Sequence, residues 1–123
     1  VNCETDFVAR NEVFTDMVKD IAMHVAASAP QYVSVEDVPA AEMKKVKAEF
    51  ADKAKSEGKP ADMIDKIVDG MVKKHFAERC LLDQPYIKNP DQTVGDYVKE
   101  HIAKLGENIV VRRIARMQLG EVE

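Results

Sequence analysis

Apolar residues recur at three- and four-residue steps through Phe14, Met17, Val18, Ile21 and Val25, with polar residues between them. This period predicts an amphipathic helix over about residues 11–28, capped by Asn11 and closed by Pro30. Tyr32-Val33-Ser34-Val35 leans toward β structure, and Glu36-Asp37-Val38-Pro39 reads as a turn. A second helix, about 40–57, has a thin stripe of Met43, Val46, Phe50 and Ala54 and is expected on the outside. Gly58 stops it, and Pro60 opens a third helix to about residue 78. The third helix carries a wide stripe of Met63, Ile64, Ile67, Val68, Met71, Val72 and Phe76, which predicts deeper packing.

Cys80-Leu81-Leu82 and Tyr86-Ile87, separated by Pro85, predict a short interrupted strand at a sheet edge. Thr93-Val94-Gly95-Asp96 has the form of a helix cap with an acid at its third position. The fourth helix follows through Val94, Tyr97, Val98, Ile102 and Leu105, and Gly106 ends it. From Ile109 to Leu119 the pattern alternates. Ile109, Val111, Ala115, Met117 and Leu119 fall on one face, and Arg112, Arg116 and Gln118 on the other. That predicts a half-buried strand. With a strand-like Val1-Asn2-Cys3 at the other end, the expected fold class is α+β, a small antiparallel β-sheet with helices packed on it.

A chain of 123 residues reads as a single domain, residues 1–123, able to bury a core without covalent staples. With 46% hydrophobic and 33% charged residues it is a globular mixture. A net charge of -4 argues against a dedicated nucleic-acid binder and leaves room for a local basic patch. Cys3 and Cys80 lack metal-type spacing, which predicts two unpaired thiols in a reducing compartment. No apolar run approaches the ~18 residues a membrane span needs. The chain opens on Val1 within an apolar run, so a fragment of a longer polypeptide is expected.

Site chemistry is sparse. His24, His75 and His101 form no HExxH or H-x-x-x-H arrangement, and no CxxC, GxxxxGK[ST], GxGxxG or nucleophile-elbow motif occurs. The expectation is no enzyme, no metal and no cofactor. Arg112, Arg113 and Arg116 are a solvated face paired with acids such as Glu107 or Glu121, or a phosphate-contacting surface. No interleaved aromatics favour the second reading. His24 continues the Met17, Ile21 line as a boundary residue, and Cys80 reads as a small core hydrophobe. Asp6-Phe7 has two readings. Asp6 favours a helix N-terminus and Phe7 staples the following helix, or Phe7 points outward to anchor a partner.

Asn2-Cys3-Glu4-Thr5-Asp6-Phe7-Val8-Ala9-Arg10-Asn11 resembles the signature stretch of the elongation factor Ts family. Four further stretches resemble that family in the same order: Ile21 to Ser28, Gly58-Lys59-Pro60, Gln84-Pro85-Tyr86, and Leu105 to Ile109 with Arg112-Arg113. The resemblance covers essentially the whole chain. It implies a core domain that lacks the family's N-terminal ubiquitin-associated-like domain and first core strands, of the short form found in some bacteria and in plastids. It implies guanine-nucleotide exchange on the translational GTPase elongation factor Tu during protein biosynthesis, in the cytoplasm or plastid stroma. A homodimer is also implied. By motif, Thr5, Asp6, Phe7, Val8, His24, Leu105 and Gly106 are implied at the surface facing elongation factor Tu. Two alternatives stay open: a structural dimerisation domain, and an RNA-binding module using Arg112, Arg113 and Arg116.

Overall fold

The computed structural model describes residues 1–121. One helical turn, α1 (Asp6–Ala9), precedes α2 (Glu12–Ser28), α3 (Ala40–Ser56) and α4 (Ala61–Ala77). A two-stranded antiparallel hairpin of β1 (Pro85–Tyr86) and β2 (Asn89–Thr93) leads into α5 (Val94–Leu105). The class is α+β. Local chemistry places the ends. Asn11 Oδ1 accepts from the Val13 N–H at 2.8 Å to cap α2, and Thr93 Oγ1 accepts from the Asp96 N–H at 3.1 Å to cap α5. Gly58 and Gly106 both adopt the left-handed conformation that favours glycine, at φ 75° and 72°.

The apolar residues separate into two clusters. The larger joins α2 (Phe14, Met17, Ile21, Val25) to α5 (Val94, Tyr97, Val98), with Val8, Leu81, Tyr86, Ile109 and Val111 closing it. The smaller lies in the hairpin of α3 and α4, where Val46 meets Val68, Val72 and Phe76, and Cys80 sits at its base. Burial pushes the Cys80 thiol up to about 11, so it is inert packing. Main-chain bonds join the two parts: the Leu81 N–H donates to Tyr32 O at 2.8 Å, and the Leu82 N–H to Val33 O at 3.0 Å. α5 seats closely over this junction, since a Cβ on Gly95 would stand 3.0 Å from Leu82 O.

Two expectations are corrected. Cys80 to Leu82 is a bridge followed by a tight 3-10 turn (Leu81–Asp83), and only Pro85–Tyr86 forms a strand. Its partner, the polar stretch Asn89–Thr93, carries no apolar alternation to announce it. The predicted strand over residues 109–119 is also not formed. One antiparallel bridge, Asn2 to Val110, is its pairing among the described residues. Ile109 and Val111 are buried as the alternation requires, but Met117 is 94% exposed and Leu119 fully so. Alternation states which face is apolar; a ladder also needs a second backbone beside it.

Phe76 is 1% exposed and meets Tyr32 and His75 edge-on. Replacing it with alanine should cost about 3–5 kcal/mol of unfolding free energy. Urea titration followed by circular dichroism measures that loss.

Candidate functional site

Residues Thr5 to Val8 form a turn that three hydrogen bonds to Glu107 hold from outside. The Glu107 carboxylate accepts from the Glu4 N–H at 3.1 Å and the Thr5 N–H at 3.0 Å through Oε1. Its Oε2 accepts from the Thr5 hydroxyl at 2.6 Å. The same hydroxyl accepts, at 3.4 Å, from the Val8 N–H, so Thr5 caps α1 while docked on Glu107. These bonds hold the Glu107 carboxyl below its ordinary value, the Thr5 hydroxyl contributing most.

Glu107 is aimed by the end of α5. Gly106 turns the chain through the left-handed region, with its N–H donating to Ile102 O at 2.9 Å. Three residues on, Asn2 and Val110 exchange two main-chain bonds of 2.8 and 2.9 Å. Residues 2–5 and 107–110 thus form one clamp, which brings Leu105 and Gly106 beside the Thr5–Val8 turn. Leu105 packs partly against the larger core, and Gly106 supplies only the backbone turn.

On this turn Val8 is buried in the core while Phe7 is 82% exposed. The staple reading is therefore excluded: Phe7 points outward. Asp6 is exposed and stands 3.9 Å from Arg10 in a solvated pair that contributes little to stability. A large aromatic held out on a fixed turn is what a contact residue requires.

His24 is not at this surface. It is fully buried. Its Nδ1 accepts from the Ile87 N–H at 3.2 Å, so Nε2 carries the hydrogen that reaches Gln84 Oε1 at 2.9 Å. Gln84 Nε2 in turn donates to Glu78 O at 2.8 Å. The ring stacks toward Tyr86, which stacks on Tyr97 with centroids 4.3 Å apart. Beside this column Asp20 accepts from Tyr97 at 3.1 Å and pairs with Lys88 at 2.6 Å, and the Lys88 bond lowers the Asp20 carboxyl. His24 and Asp20 together anchor the Ile87-Lys88 turn between β1 and β2. Neither turn residue has the left-handed backbone that favoured two-residue hairpins use, so side chains of α2 fix the turn instead.

The three arginines do not make one basic face. Arg112 lines a groove of about 760 Å³ with Glu36, Asp37 and Asp83, whereas Arg113 lines a different groove against α2. Arg116 donates to Ala26 O at 3.3 Å and to the Gln118 side chain. The expected ion pairs with Glu107 and Glu121 are not formed among the described residues; Glu107 is used by the clamp. Glu107 is the functional candidate that spacing does not reveal, and its one local signal is its place directly after a helix-ending glycine. No cluster of potential metal ligands occurs, and no helix is long and apolar enough to cross a membrane, among the described residues.

Comparison with known proteins gives a consistent result. The sequence model described as Elongation factor TS matches residues 15–102. The elongation factor Ts of Citrifermentans bemidjiense is 54% identical over 121 residues, 98% of this chain and 56% of that relative. That of Geobacter sulfurreducens is 52% identical with the same coverage. That of Caldanaerobacter subterraneus subsp. tengcongensis is 54% identical, with 60% of its length covered. The chain spans little more than half the length of these relatives.

His24→Phe should keep a flat aromatic ring but orphan the Ile87 N–H and Gln84 Oε1, costing about 1–3 kcal/mol for each buried group left unpaired. Equilibrium denaturation should show that loss. A variant of unchanged stability would contradict the core role.

Glu107 contributes stability that is complete above its ordinary value of 4.5 and is lost as pH falls through its lowered folded-state value. Melting temperatures taken from pH 6 to pH 3 should therefore show wild type and Glu107→Gln converging toward acid. The difference is small at neutral pH because these three bonds lie at the surface, where solvent screens them.

Proposed function

The chain belongs to the elongation factor Ts family, and from that membership we propose that it promotes release of GDP from elongation factor Tu during translation elongation. The observation that carries this reading is Phe7, 82% exposed on a turn that Thr5, Val8 and Glu107 hold in place. A residue packed for stability would be buried; this one is presented.

No covalent step is required. The protein binds the nucleotide-free GTPase more tightly than the GDP-bound one. By linkage, GDP and the exchange factor then weaken each other by the same ratio. Each ~1.4 kcal/mol of that coupling changes GDP affinity tenfold. In this mechanism Phe7 inserts between partner side chains beside the magnesium and phosphate site, and Asp6 hydrogen-bonds the rearranged surface. Displacing the magnesium leaves the GDP phosphates less neutralised, and release accelerates. Thr5 and Val8 hold the turn, as Leu105 and Gly106 do from the other side. The buried His24 acts on the hairpin rather than on the partner. An RNA-binding role gains no support from the arginines, which lie apart, with Arg112 facing three acids.

Phe7→Ala should leave stability within about 0.5 kcal/mol of wild type, since folding buries little of this side chain. It should reduce the saturated rate of GDP release by on the order of tenfold or more. Stopped-flow release of fluorescent GDP from elongation factor Tu, run beside a melting curve, checks both. Wild-type exchange by the variant would remove the proposal.

A further inference from the structure

We propose that Glu107 is a positioning residue for exchange, holding the Thr5–Val8 turn so that Phe7 is presented before any partner arrives. This rests on the exchange reading above. Glu107 is placed to do this without touching the partner itself. Both of its oxygens are directed into the protein, onto the Glu4 and Thr5 N–H groups and the Thr5 hydroxyl. The turn has little else. α1 is four residues long, too short to be stable alone. Its internal support is two main-chain bonds, from the Ala9 N–H to Thr5 O at 3.2 Å and from the Arg10 N–H to Asp6 O at 3.1 Å, one long cap bond of 3.4 Å and the burial of Val8.

The role has a distinct kinetic form. A turn that samples the presented geometry only part of the time weakens binding in proportion to the fraction competent. That tax applies before the partner is engaged. It raises the concentration needed for half-maximal exchange and leaves the saturated rate alone. Loss of Phe7 raises the half-maximal concentration in the same way and also lowers the saturated rate, because the wedge itself is missing at saturation.

Reach and acceptor oxygens are what the position needs. Glutamine keeps the length and one acceptor oxygen for the two N–H groups. Aspartate keeps the charge but is one methylene too short. Alanine keeps neither.

The test is GDP release from elongation factor Tu as a function of exchange-factor concentration, with the full chain carrying Glu107→Ala, Glu107→Asp or Glu107→Gln, alone and with Phe7→Ala. Glu107→Ala and Glu107→Asp should raise the half-maximal concentration about tenfold, as for a competent fraction near one tenth, with the saturated rate within about twofold. Glu107→Gln should recover most of that loss. In the Phe7→Ala background none of the three should add a further defect. Full activity in Glu107→Asp, or loss in Glu107→Gln equal to that in alanine, would show that charge acts and not position, and would overturn the proposal. So would additive defects with Phe7→Ala, or a normal half-maximal concentration in Glu107→Ala. Melting curves identify a variant that fails to fold, and Glu107→Gln then carries the comparison with Phe7→Ala. If Phe7→Ala alone exchanges normally, the exchange reading fails, a result separate from any behaviour of the Glu107 variants.

Discussion

The closure of residues 2–5 onto residues 107–110 is the constraint on which the candidate site depends. Two main-chain bonds between Asn2 and Val110, and three bonds to the Glu107 carboxylate, join segments more than one hundred positions apart in sequence. Such a contact opposes a large loss of chain freedom, and a single weak bond would not hold it. Here it is spread over five bonds, three to an ionised acceptor, the stronger kind. Buried Val8 on one side and Ile109 and Val111 on the other anchor the clamp in the larger core. The short helix α1 persists because both of its flanks are fixed.

A second polar assembly, this one buried, does similar work elsewhere on the larger core. His24 and Gln84 tie α2, the end of α4 and the β1–β2 turn together within the core. Buried polar groups raise stability only when their partners are complete. Both His24 nitrogens and the Gln84 side-chain atoms have partners, while the neighbouring Tyr86 hydroxyl has none among the described residues. That hydroxyl is a local cost, offset by the stacking of Tyr86 on Tyr97. Polar specificity thus fixes a hairpin whose own turn residues would not.

The four longer helices were legible because each carries a periodic apolar stripe, whereas the single turn α1 is too short to show one. α2, α3 and α4 lie within a residue or two of the boundaries that Asn11, Gly58 and Pro60 announce. What composition and period could not reveal was long-range pairing. Asn89–Thr93 is a strand because β1 lies beside it, not because of its own polar residues. Residues 109–119 alternate as a strand does, yet among the described residues they pair only at Val110. The site divides in the same way. Asp6 and Phe7 stood out as an acid beside an aromatic, and motif resemblance singled out Leu105 and Gly106. That Phe7 faces outward and that Glu107 reaches Thr5 depend on contacts formed across the chain, which one-dimensional patterns do not contain. His24 shows the converse: the helical stripe put it at the boundary of α2's apolar line and resemblance put it at a partner surface, whereas the free chain buries it completely.

On the proposed function the chain acts through a difference between two affinities, and that would sort the parts of the tip. Any cost of ordering the turn on binding falls equally on the nucleotide-bound and nucleotide-free partner, so it lowers both affinities and leaves their ratio unchanged. On the proposed function, the clamp would therefore govern how tightly the partner is held. Only a group whose contacts differ between the two partner states can set the ratio. Of the four turn residues, Thr5 is committed to Glu107 and Val8 to the core. Phe7 and Asp6 are left to distinguish the states, and of these Phe7 has the apolar area to do it, which folding of the free chain leaves almost entirely unused.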